Sequence, residues 1–525
     1  MGQRQHLGGG ISLRAGEAVA AARSCPFLDD GPWQRAAENR SGIARDQHPS
    51  MSADGSHILT VGMDVRLIRN LWDRVAARAA LRISHLVHPS YDRASWDRAA
   101  TASCVYFVRE DLRESLPAPD RRLLQSLERD DLPTIHNMIM SDRVLAAVPY
   151  EEVLAYATLL ARRFLSLFGE LSPPAIIGAF DGLHGSLALA VARKLGVPWF
   201  AMNFSTIPVA HVSCCDHLSP ASALVLEPQR EQSLRAQADE LLSAFETSRL
   251  HAPAYLPPQL LKPAVALGQL RSQLHSLLRV AKRRRLARYR KYTDYRNSYT
   301  FSGLLAEAVR LRRNLWRLRR ERLIERPPDE PFAFFGLHMQ PESSIDVFAH
   351  FFSNQVRVIE MISRSLPPTH SLLVKLHKSD APNYSTAYLA RLRRFPGVRI
   401  VAPQADSVSF IRKAELVFAI QGTIGLEAAL LGKPVIVFGD SPVKSFPSVA
   451  ALGRTVDLPE LVRRKLAEPP PGRSAIVAAF ARYLAPFYPA SHNDWHISPT
   501  DAEIEGYVRF FQLLLAQLPA MPVAR

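Results

Sequence analysis

Residues 415–439 hold the pattern that most restricts the fold of this chain. Residues 416–420 form an apolar run of strand length, Gln421-Gly422-Thr423 interrupts that run, and residues 424–431 have the spacing of a helix. A glycine ends the helix, and a second apolar run of strand length follows at residues 435–438. A strand, a tight turn, a helix and a second strand in this order form the repeating unit of a parallel β-sheet covered by helices.

The turn in this unit is predicted to be a binding element. It would place backbone N–H groups and the positive end of a helix at the C-terminal edge of the sheet, where α/β folds bind phosphorylated ligands. Thr423 and Glu427 are four residues apart, so both side chains would face the same side of the helix. The same residues also fit a plain connection, in which Gly422 and Thr423 only turn the chain and cap the helix.

Strand-length apolar runs alternate with helical patterns in two separate parts of the chain. This alternation predicts an α/β protein with two Rossmann-like domains, each built on a parallel sheet and facing a common cleft. The first part has predicted strands at residues 57–61, 83–87, 104–108, 175–180 and 198–204, and predicted helices at residues 67–81, 153–168 and 186–195. The second part adds predicted strands at residues 332–337, 371–376 and 398–401, and predicted helices within residues 344–365 and at residues 386–394 and 407–412.

The chain is therefore expected to have five segments. They are residues 1–50, expected to be disordered; residues 51–250, an N-terminal Rossmann-like domain; residues 251–330, a basic helical hairpin and linker; residues 331–490, a C-terminal Rossmann-like domain; and residues 491–525, a C-terminal helix. Residues 1–50 are rich in Gly, Ala and Arg without a period, and because Met51 precedes the first predicted strand, they also fit a wrongly chosen start site.

The net charge of +16 is concentrated in one part of the chain. Residues 279–326 carry 17 Lys and Arg against four Asp and Glu, within two predicted helices at residues 267–289 and 304–324. Such a block fits either a solvated basic face or contact with an anionic membrane surface or an anionic lipid-linked glycan. Nucleic acid is not expected as a partner, because no recognised binding motif accompanies the charge.

Composition excludes several other classes of protein. No stretch of about 18 uninterrupted apolar residues is present, so a membrane-spanning helix is not expected. The first residues lack the apolar core of a secretion signal. The four cysteines do not form a disulfide framework or a spaced metal site, so the chain is expected to be cytoplasmic and to hold no structural metal.

Polar residues follow two of the predicted strands in the second domain. His338 and Glu342 lie after the strand at residues 332–337, and Lys375 and His377 lie at the end of the strand at residues 371–376. Alternation along a strand points Lys375 and His377 to the same side. Each histidine alone also fits an ordinary core or surface position, but both together at strand ends favour a ligand site.

The ordered set of residues 337–342 (Leu-His-Met-Gln-Pro-Glu), residues 374–378 (Val-Lys-Leu-His-Lys) and residues 415–439 resembles one family. This is the group of capsule and surface-polysaccharide biosynthesis glycosyltransferases, which has the GT-B fold of two Rossmann domains and includes the Kdo transferases. The resemblance covers residues 331–442, and residues 179–185 match in style only.

The resemblance implies that residues 51–250 form the acceptor domain and that residues 331–490 form the nucleotide-sugar domain, which holds the donor site. Glycosyl transfer develops charge on the departing phosphate, which requires cations and N–H donors. The donor-binding residues implied are His338, Glu342, Lys375, His377, Gly422, Thr423 and Glu427. The family pattern has a proline after the histidine where this chain has Lys378, a change that alters the turn but keeps both ligand side chains. The family usually needs no metal or cofactor, and none is expected here.

The acceptor hydroxyl must also lose a proton, which requires a base. Asp181 follows a predicted strand, precedes Gly182, and resembles the acid-plus-glycine motif of GT-B sialyltransferases, although Phe180 stands where that motif has a second acid. His184 is the alternative base. Asp181 also fits a simple capping role for the helix that follows it.

The function expected is therefore a glycosyltransferase at the cytoplasmic face of the inner membrane. It would move a sugar from a nucleotide donor, with CMP-Kdo or a similar CMP-sugar implied, to a lipid-linked or polysaccharide acceptor. The resemblance also implies that the C-terminal helix at residues 498–518 crosses back onto the first domain. Three alternatives remain open: a nucleotide-sugar 2-epimerase, a CDP-polyol phosphotransferase, and a non-catalytic subunit of a polysaccharide assembly or export complex.

Overall fold

The computed structural model describes residues 57–62, 71–87, 105–107, 115–142, 144–178, 182–247, 301–340, 342–490 and 500–518. The predicted disorder of residues 1–50 and the first predicted basic helix, residues 267–289, lie outside these residues.

Thirteen strands and sixteen α-helices are numbered here in chain order within the described residues. The strands are β1 His57–Val61, β2 Arg82–Val87, β3 Val105–Phe107, β4 Ala175–Gly178, β5 Trp199–Phe204, β6 His211–Cys215, β7 Phe332–Gly336, β8 Ser371–Lys375, β9 Val398–Val401, β10 Leu416–Ala419, β11 Val435–Val437, β12 Val449–Ala451 and β13 Tyr488–Pro489. The helices are α1 Asp73–Ala79, α2 Arg121–Gln125, α3 Ile135–Ser141, α4 Tyr150–Leu171, α5 Gly182–Leu195, α6 Arg230–Ser233, α7 Arg235–Glu246, α8 Phe301–Leu318, α9 Ser343–Asp346, α10 Gln355–Ser365, α11 Thr386–Leu392, α12 Ser407–Lys413, α13 Thr423–Leu430, α14 Leu458–Ala467, α15 Arg473–Leu484 and α16 Asp501–Gln517.

The strands form two sheets. The first has the order β13-β6-β5-β4-β1-β2-β3, in which β1 to β5 are parallel and β6 and β13 are added antiparallel at one edge. The second has the order β12-β11-β10-β7-β8-β9 and is parallel throughout. The predicted α/β class with two parallel sheets is confirmed.

In the second sheet, the strand order contains a switch point. β7 is followed by β8 and β9 on one side, and the chain then returns to place β10 on the other side of β7. In doubly wound sheets the crevice outside the C-terminal ends of such a strand pair is where ligands bind. The candidate site is therefore expected beyond β7 and β10.

Both faces of each sheet are covered, which explains the near-continuous apolar strands. In β1, Ile58 packs in a cluster with α1 and α16, whereas Leu59 packs in a cluster with α4 and α5. In β7, Phe334 and Phe335 likewise lie in clusters on opposite faces of the sheet. Because side chains alternate along a strand, successive residues pack against the helices on opposite faces of the sheet.

Two helices pack on the sheet that is distant from them in sequence. Ala238, Leu242 and Phe245 of α7 join the core of the second sheet, and Arg473 of α15 forms ion pairs of 2.8 Å with Asp239 and 2.6 Å with Glu246. Conversely, α16 packs on the first sheet, where its buried residues meet Trp72 and Val75. Packing on the second sheet therefore begins before residue 250.

The second predicted basic helix is shorter than expected. It was predicted over residues 304–324, but α8 ends at Leu318. The chain then becomes extended, and Ile324 forms a bridge beside β9, with its N–H 3.0 Å from the Ile400 carbonyl oxygen. Pairing with the edge strand replaces the last helical turn.

The predicted helix within residues 344–365 is divided. α9 ends after one turn, an irregular segment follows, and α10 begins at Gln355, where the Asn354 side chain accepts from the Arg357 N–H.

Among the described residues, no helix carries an apolar stretch long enough to cross a membrane.

Candidate functional site

The candidate donor residues of the second sheet gather at its switch point. His338 follows β7, Lys375 ends β8 and His377 lies two residues further on, and Gln421-Gly422 separates β10 from α13. Because these strands are parallel neighbours, their C-terminal ends meet at one edge of the sheet. The structure thus brings together residues that are distant in sequence.

The turn after β10 presents backbone donors. Gly422 has φ of 84° and ψ of −172° and stands at the N-cap of α13. Among the residues that the structure describes, no side chain caps this helix, so the N–H groups of its first turn can bind a ligand or water. Only glycine adopts this φ without strain, which explains why residue 422 is a glycine.

The Gln421 side chain anchors the turn by a hydrogen bond. Its side chain is buried, and its Nε2 donates to the Asp440 carbonyl oxygen at 2.6 Å. The turn is therefore tied to the segment that follows β11.

Lys375 is the cation of the site. Its side chain is 8% exposed, and Nζ donates to the Pro403 carbonyl oxygen at 3.2 Å. Burial lowers the pKa of Lys375 to about 8, while the Glu427 carboxylate opposes that shift. The ammonium is still the main form at neutral pH, in a place where water screens it poorly.

Glu427 projects from α13 and is 7% exposed. Burial raises the pKa of Glu427 to about 7, the Asp406 carboxylate adds to the shift, and Lys375 opposes it. Lys375 and Glu427 therefore act on each other electrostatically within one partly dry cluster.

His377 presents an imidazole without a full set of partners. Its backbone N–H donates to the Tyr384 hydroxyl at 2.9 Å, and within the described residues its buried Nδ1 has no hydrogen-bond partner. Burial and the neighbouring Lys375 charge lower the pKa of His377 to about 4. The ring is therefore neutral near pH 7.

His338 lies against the turn. Its Nε2 is 3.4 Å from the Gln421 nitrogen, and burial, with His377 nearby, lowers the pKa of His338 to about 4. Glu342 lies further along, at the start of α9, where its carboxylate accepts from the Ser344 hydroxyl at 2.8 Å.

Asp181 falls in the short stretch between β4 and α5 that lies outside the described residues. The helix that follows it is already capped, because the buried carboxylate of Asp142 accepts from the Leu183 N–H at 2.9 Å. The other Asp142 oxygen accepts from the N–H groups of Val144 and Leu145, both at 2.9 Å. A protein carboxylate thus occupies the anion position of α5.

His184 is buried in α5. Its Nε2 is 2.7 Å from the Tyr156 hydroxyl, and the two rings pack edge to face. This packing gives His184 a place in the interface between α4 and α5.

Hydrogen bonds also join elements of the two sheets. The Ser219 hydroxyl donates to Asp440 Oδ2 at 2.6 Å, and Asn137 Nδ2 lies 2.9 Å from His350 Nε2. Asp440 therefore contacts both Ser219 and, through its carbonyl oxygen, the Gln421 side chain.

Sequence reasoning missed three residues that support the site. Gln355, Asp142 and Asp440 carry no local motif, and each acts through contacts with residues far along the chain.

The arrangement is suited to binding a phosphate group. One ammonium, neutral imidazoles and an uncapped helix N-terminus supply donors, and Glu427 can accept from sugar hydroxyls.

No curated protein matches the chain. Solved structures similar to it include the Thermosulfurimonas dismutans KpsC beta Kdo 2,4 transferase, at 12% identity over 58% of this chain and 78% of that chain, with a TM-score of 0.33. The beta Kdo 2,7 transferase of the same organism is 12% identical over 67% of this chain and 89% of that chain, with a TM-score of 0.30. The UDP-GlcNAc 2-epimerase of Neisseria meningitidis is 13% identical over 87% of this chain and 99% of that chain, with a TM-score of 0.27.

A family model described as capsule polysaccharide biosynthesis protein matches residues 237–452. This segment starts within α7 and includes β7 to β12 with every candidate donor residue described above. The resemblance to capsule polysaccharide biosynthesis proteins that the sequence predicted is therefore confirmed over residues 237–452.

Proposed function

We propose that the protein is a glycosyltransferase that moves a sugar from a nucleotide donor to a capsule or surface polysaccharide acceptor. The donor phosphate binds beyond β7, β8 and β10, between Lys375, His377 and the first turn of α13. Glu427 accepts from a hydroxyl of the nucleotide sugar. A CMP-sugar such as CMP-Kdo is the donor proposed.

One observation carries the proposal. The N-terminus of α13, at the switch point of the second sheet, has no side-chain cap among the described residues, whereas the N-terminus of α5, which follows β4 of the first sheet, has one. Gly422 caps α13 without a side chain, but Asp142 fills the corresponding position of α5. A second anion placed at α5 would be repelled by the Asp142 carboxylate. This asymmetry supports a donor in the second sheet and an acceptor beside the first.

Asp181 is proposed as the base that takes the proton from the acceptor hydroxyl. Its support is its position in the sequence, between the end of β4 at Gly178 and the start of α5 at Gly182. His184 is the weaker candidate, because its ring is buried against Tyr156.

An anionic membrane surface is proposed as a further partner, bound through α8. Asn314 and Leu318 bury one side of this helix against the second sheet's helices and loops. Trp316 and Val309 are exposed elsewhere on the helix, and the Arg320 guanidinium lies 3.4 Å above the Trp316 ring. Exposed arginines beside an exposed tryptophan suit the headgroup region of a bilayer.

The donor assignment predicts release of one nucleotide from a panel of donors. The protein is incubated with CMP-, UDP-, GDP- and CDP-linked sugars and an acceptor glycan, and released nucleotide is quantified. We expect transfer with release of CMP. Because each charged hydrogen bond contributes about 1.5–3 kcal/mol, Lys375→Ala combined with His377→Ala should weaken donor binding by roughly 100-fold or more.

Lys378→Ala is the matched control, since Lys378 is adjacent in sequence and exposed. Unchanged donor affinity in the double variant would refute the donor-site assignment. Interconversion of a UDP-sugar without any transfer would refute the glycosyltransferase assignment.

The base assignment predicts a separation of turnover from binding. Asp181→Asn keeps the side-chain shape but cannot take a proton, so turnover should fall by roughly 10²–10⁴-fold with little change in donor affinity. Transfer rates and calorimetric affinities are measured on the same preparations. Near-normal turnover would exclude Asp181 as the base.

The position of Lys375 predicts a pH dependence of nucleotide affinity. Burial lowers the pKa of Lys375 to about 8, so the free site loses its ammonium as the pH rises above that value. A bound phosphate favours the charged form, so affinity for CMP should fall by up to about tenfold per pH unit above pH 8. Glu427, with a pKa raised to about 7, is already ionised there.

Lys375→Arg keeps its charge over this range and should abolish the fall, as titration calorimetry at several pH values can show. The same slope in both proteins would contradict a role for the Lys375 ammonium.

The membrane assignment predicts salt-sensitive binding to anionic vesicles. Each Lys or Arg near an anionic surface contributes about 1 kcal/mol, and salt screens that attraction. Arg313→Glu with Arg317→Glu should therefore reduce co-sedimentation with phosphatidylglycerol vesicles, whereas Arg463→Glu, on an exposed position of α14, should not. Equal binding to neutral vesicles at high salt would show that the attraction is not electrostatic.

A further inference from the structure

The His338 ring packs directly under the turn that presents the backbone donors. Its Nε2 lies 3.4 Å from the Gln421 nitrogen, whose N–H points at it. A Cβ placed on Gly422 would lie 3.0 Å from His338 Cε1 and 3.4 Å from Nδ1. Two independent contacts therefore place the imidazole against successive residues of the turn.

The main chain of His338 is clamped on both sides by one side chain. Gln355 Oε1 accepts from the His338 N–H at 2.7 Å, and Gln355 Nε2 donates to the His338 carbonyl oxygen at 3.1 Å. The same Nε2 donates to Gln340 Oε1 at 2.9 Å, and Gln355 itself is buried. The ring is thus carried by a fixed backbone and not by a mobile loop end.

The direction of the Gln421 bond fixes the protonation of the ring. A backbone nitrogen can only donate, so Nε2 of His338 must accept and carry no proton. The proton of the neutral ring is then on Nδ1. An imidazolium would place a second N–H against the Gln421 N–H, so the charged form is incompatible with this turn.

We propose that His338 is a positioning residue whose neutral ring accepts the Gln421 N–H and so holds the Gln421-Gly422 turn in the conformation that exposes the first N–H groups of α13. In this role His338 contributes no positive charge to the site. The consequence for the ligand rests on the proposed function, because it assumes that a phosphate binds at α13. The bracing contact itself does not depend on that assumption.

The surroundings of the ring agree with a permanently neutral state. Burial, with His377 beside it, lowers the pKa of His338 to about 4. The titratable group that faces His338 from the end of β8 is His377, itself next to the Lys375 charge. From α10 and the turn, His338 meets the amides of Gln355 and Gln421, which do not titrate.

The experiment compares His338→Gln with His338→Ala, because the glutamine carbonyl oxygen can replace Nε2 as an acceptor and alanine cannot. Hydrogen–deuterium exchange of the peptide that contains residues 421–423 is measured in the full chain. His338→Ala should speed exchange there by about three- to tenfold, the effect of one lost hydrogen bond, and His338→Gln should restore the slow rate. His370→Gln is the matched control, because His370 pairs with Glu415 before β8, at the other edge of the same sheet.

A second measurement uses the unaltered protein, so it does not depend on the variants folding. Nitrogen-15 spectra of histidine-labelled protein, with the His338 signals assigned from their loss in His338→Gln, report which ring nitrogen is protonated. We expect an unprotonated Nε2 and no titration of His338 between about pH 5.5 and pH 8. A protonated Nε2, a titration in that range, or equal exchange rates in the alanine and glutamine variants would overturn the proposal.

Calorimetry with CMP and with UDP separates this inference from the proposed function. Weaker nucleotide binding in His338→Ala, by about three- to tenfold and restored in His338→Gln, supports both. If the unaltered protein binds neither nucleotide, the donor assignment fails, and the exchange and nitrogen-15 results still decide whether His338 braces the turn.

Discussion

The pairing of β10 with β7 is the constraint on which the candidate site depends. β8 and β9 extend the sheet on one side of β7, and β10 to β12 extend it on the other. The connections that leave β7 and β10 therefore diverge, and a gap opens between them at the C-terminal edge. His338 and the Gln421-Gly422 turn meet in that gap although they are distant in sequence, and the missing side chain of Gly422 lets them approach.

Burial of ionic groups gives the site its energetic character. Lys375 and Glu427 are both nearly inaccessible, and a buried charge is costly unless hydrogen bonds and an opposite charge offset the loss of water. The protein offsets part of that cost with the Pro403 carbonyl oxygen and with the electrostatic effect of each group on the other. Because this compensation is partial, the anionic ligand proposed above would further stabilise the buried ammonium of Lys375.

The sequence predicted most strands of both sheets, but it predicted neither β6, β12 and β13 nor the residues that support the site. Apolar runs such as residues 416–420 are local signals, because a strand buried on both faces must be apolar throughout. The positions of Lys375, His377 and Gly422 followed from the rule that binding residues sit at strand ends. The role of Asp142 could not be predicted, since its partner Leu183 lies 41 residues away and nothing in the sequence sets that contact.

The predicted end of the second basic helix was wrong for a related reason. Periodicity alone predicted that the second basic helix extends to residue 324. In the structure, Ile324 pairs with β9 at the edge of the second sheet. This tertiary contact overrides the local preference for a helix. The burial of His184 beside Tyr156 is of the same kind: its sequence neighbours suggested chemistry, and the packing of α4 on α5 gives it a structural environment.

The exchange of α7 and α16 between the sheets determines how the chain can be divided. A fragment that begins after residue 250 loses Ala238, Leu242 and Phe245 from the core of the second sheet, and a fragment that stops before residue 500 uncovers Trp72 on the first. Each cut would expose apolar surface to water and favour aggregation. The two halves are thus mutually dependent for solubility, and a recombinant fragment built on the second sheet must carry α7 at its start.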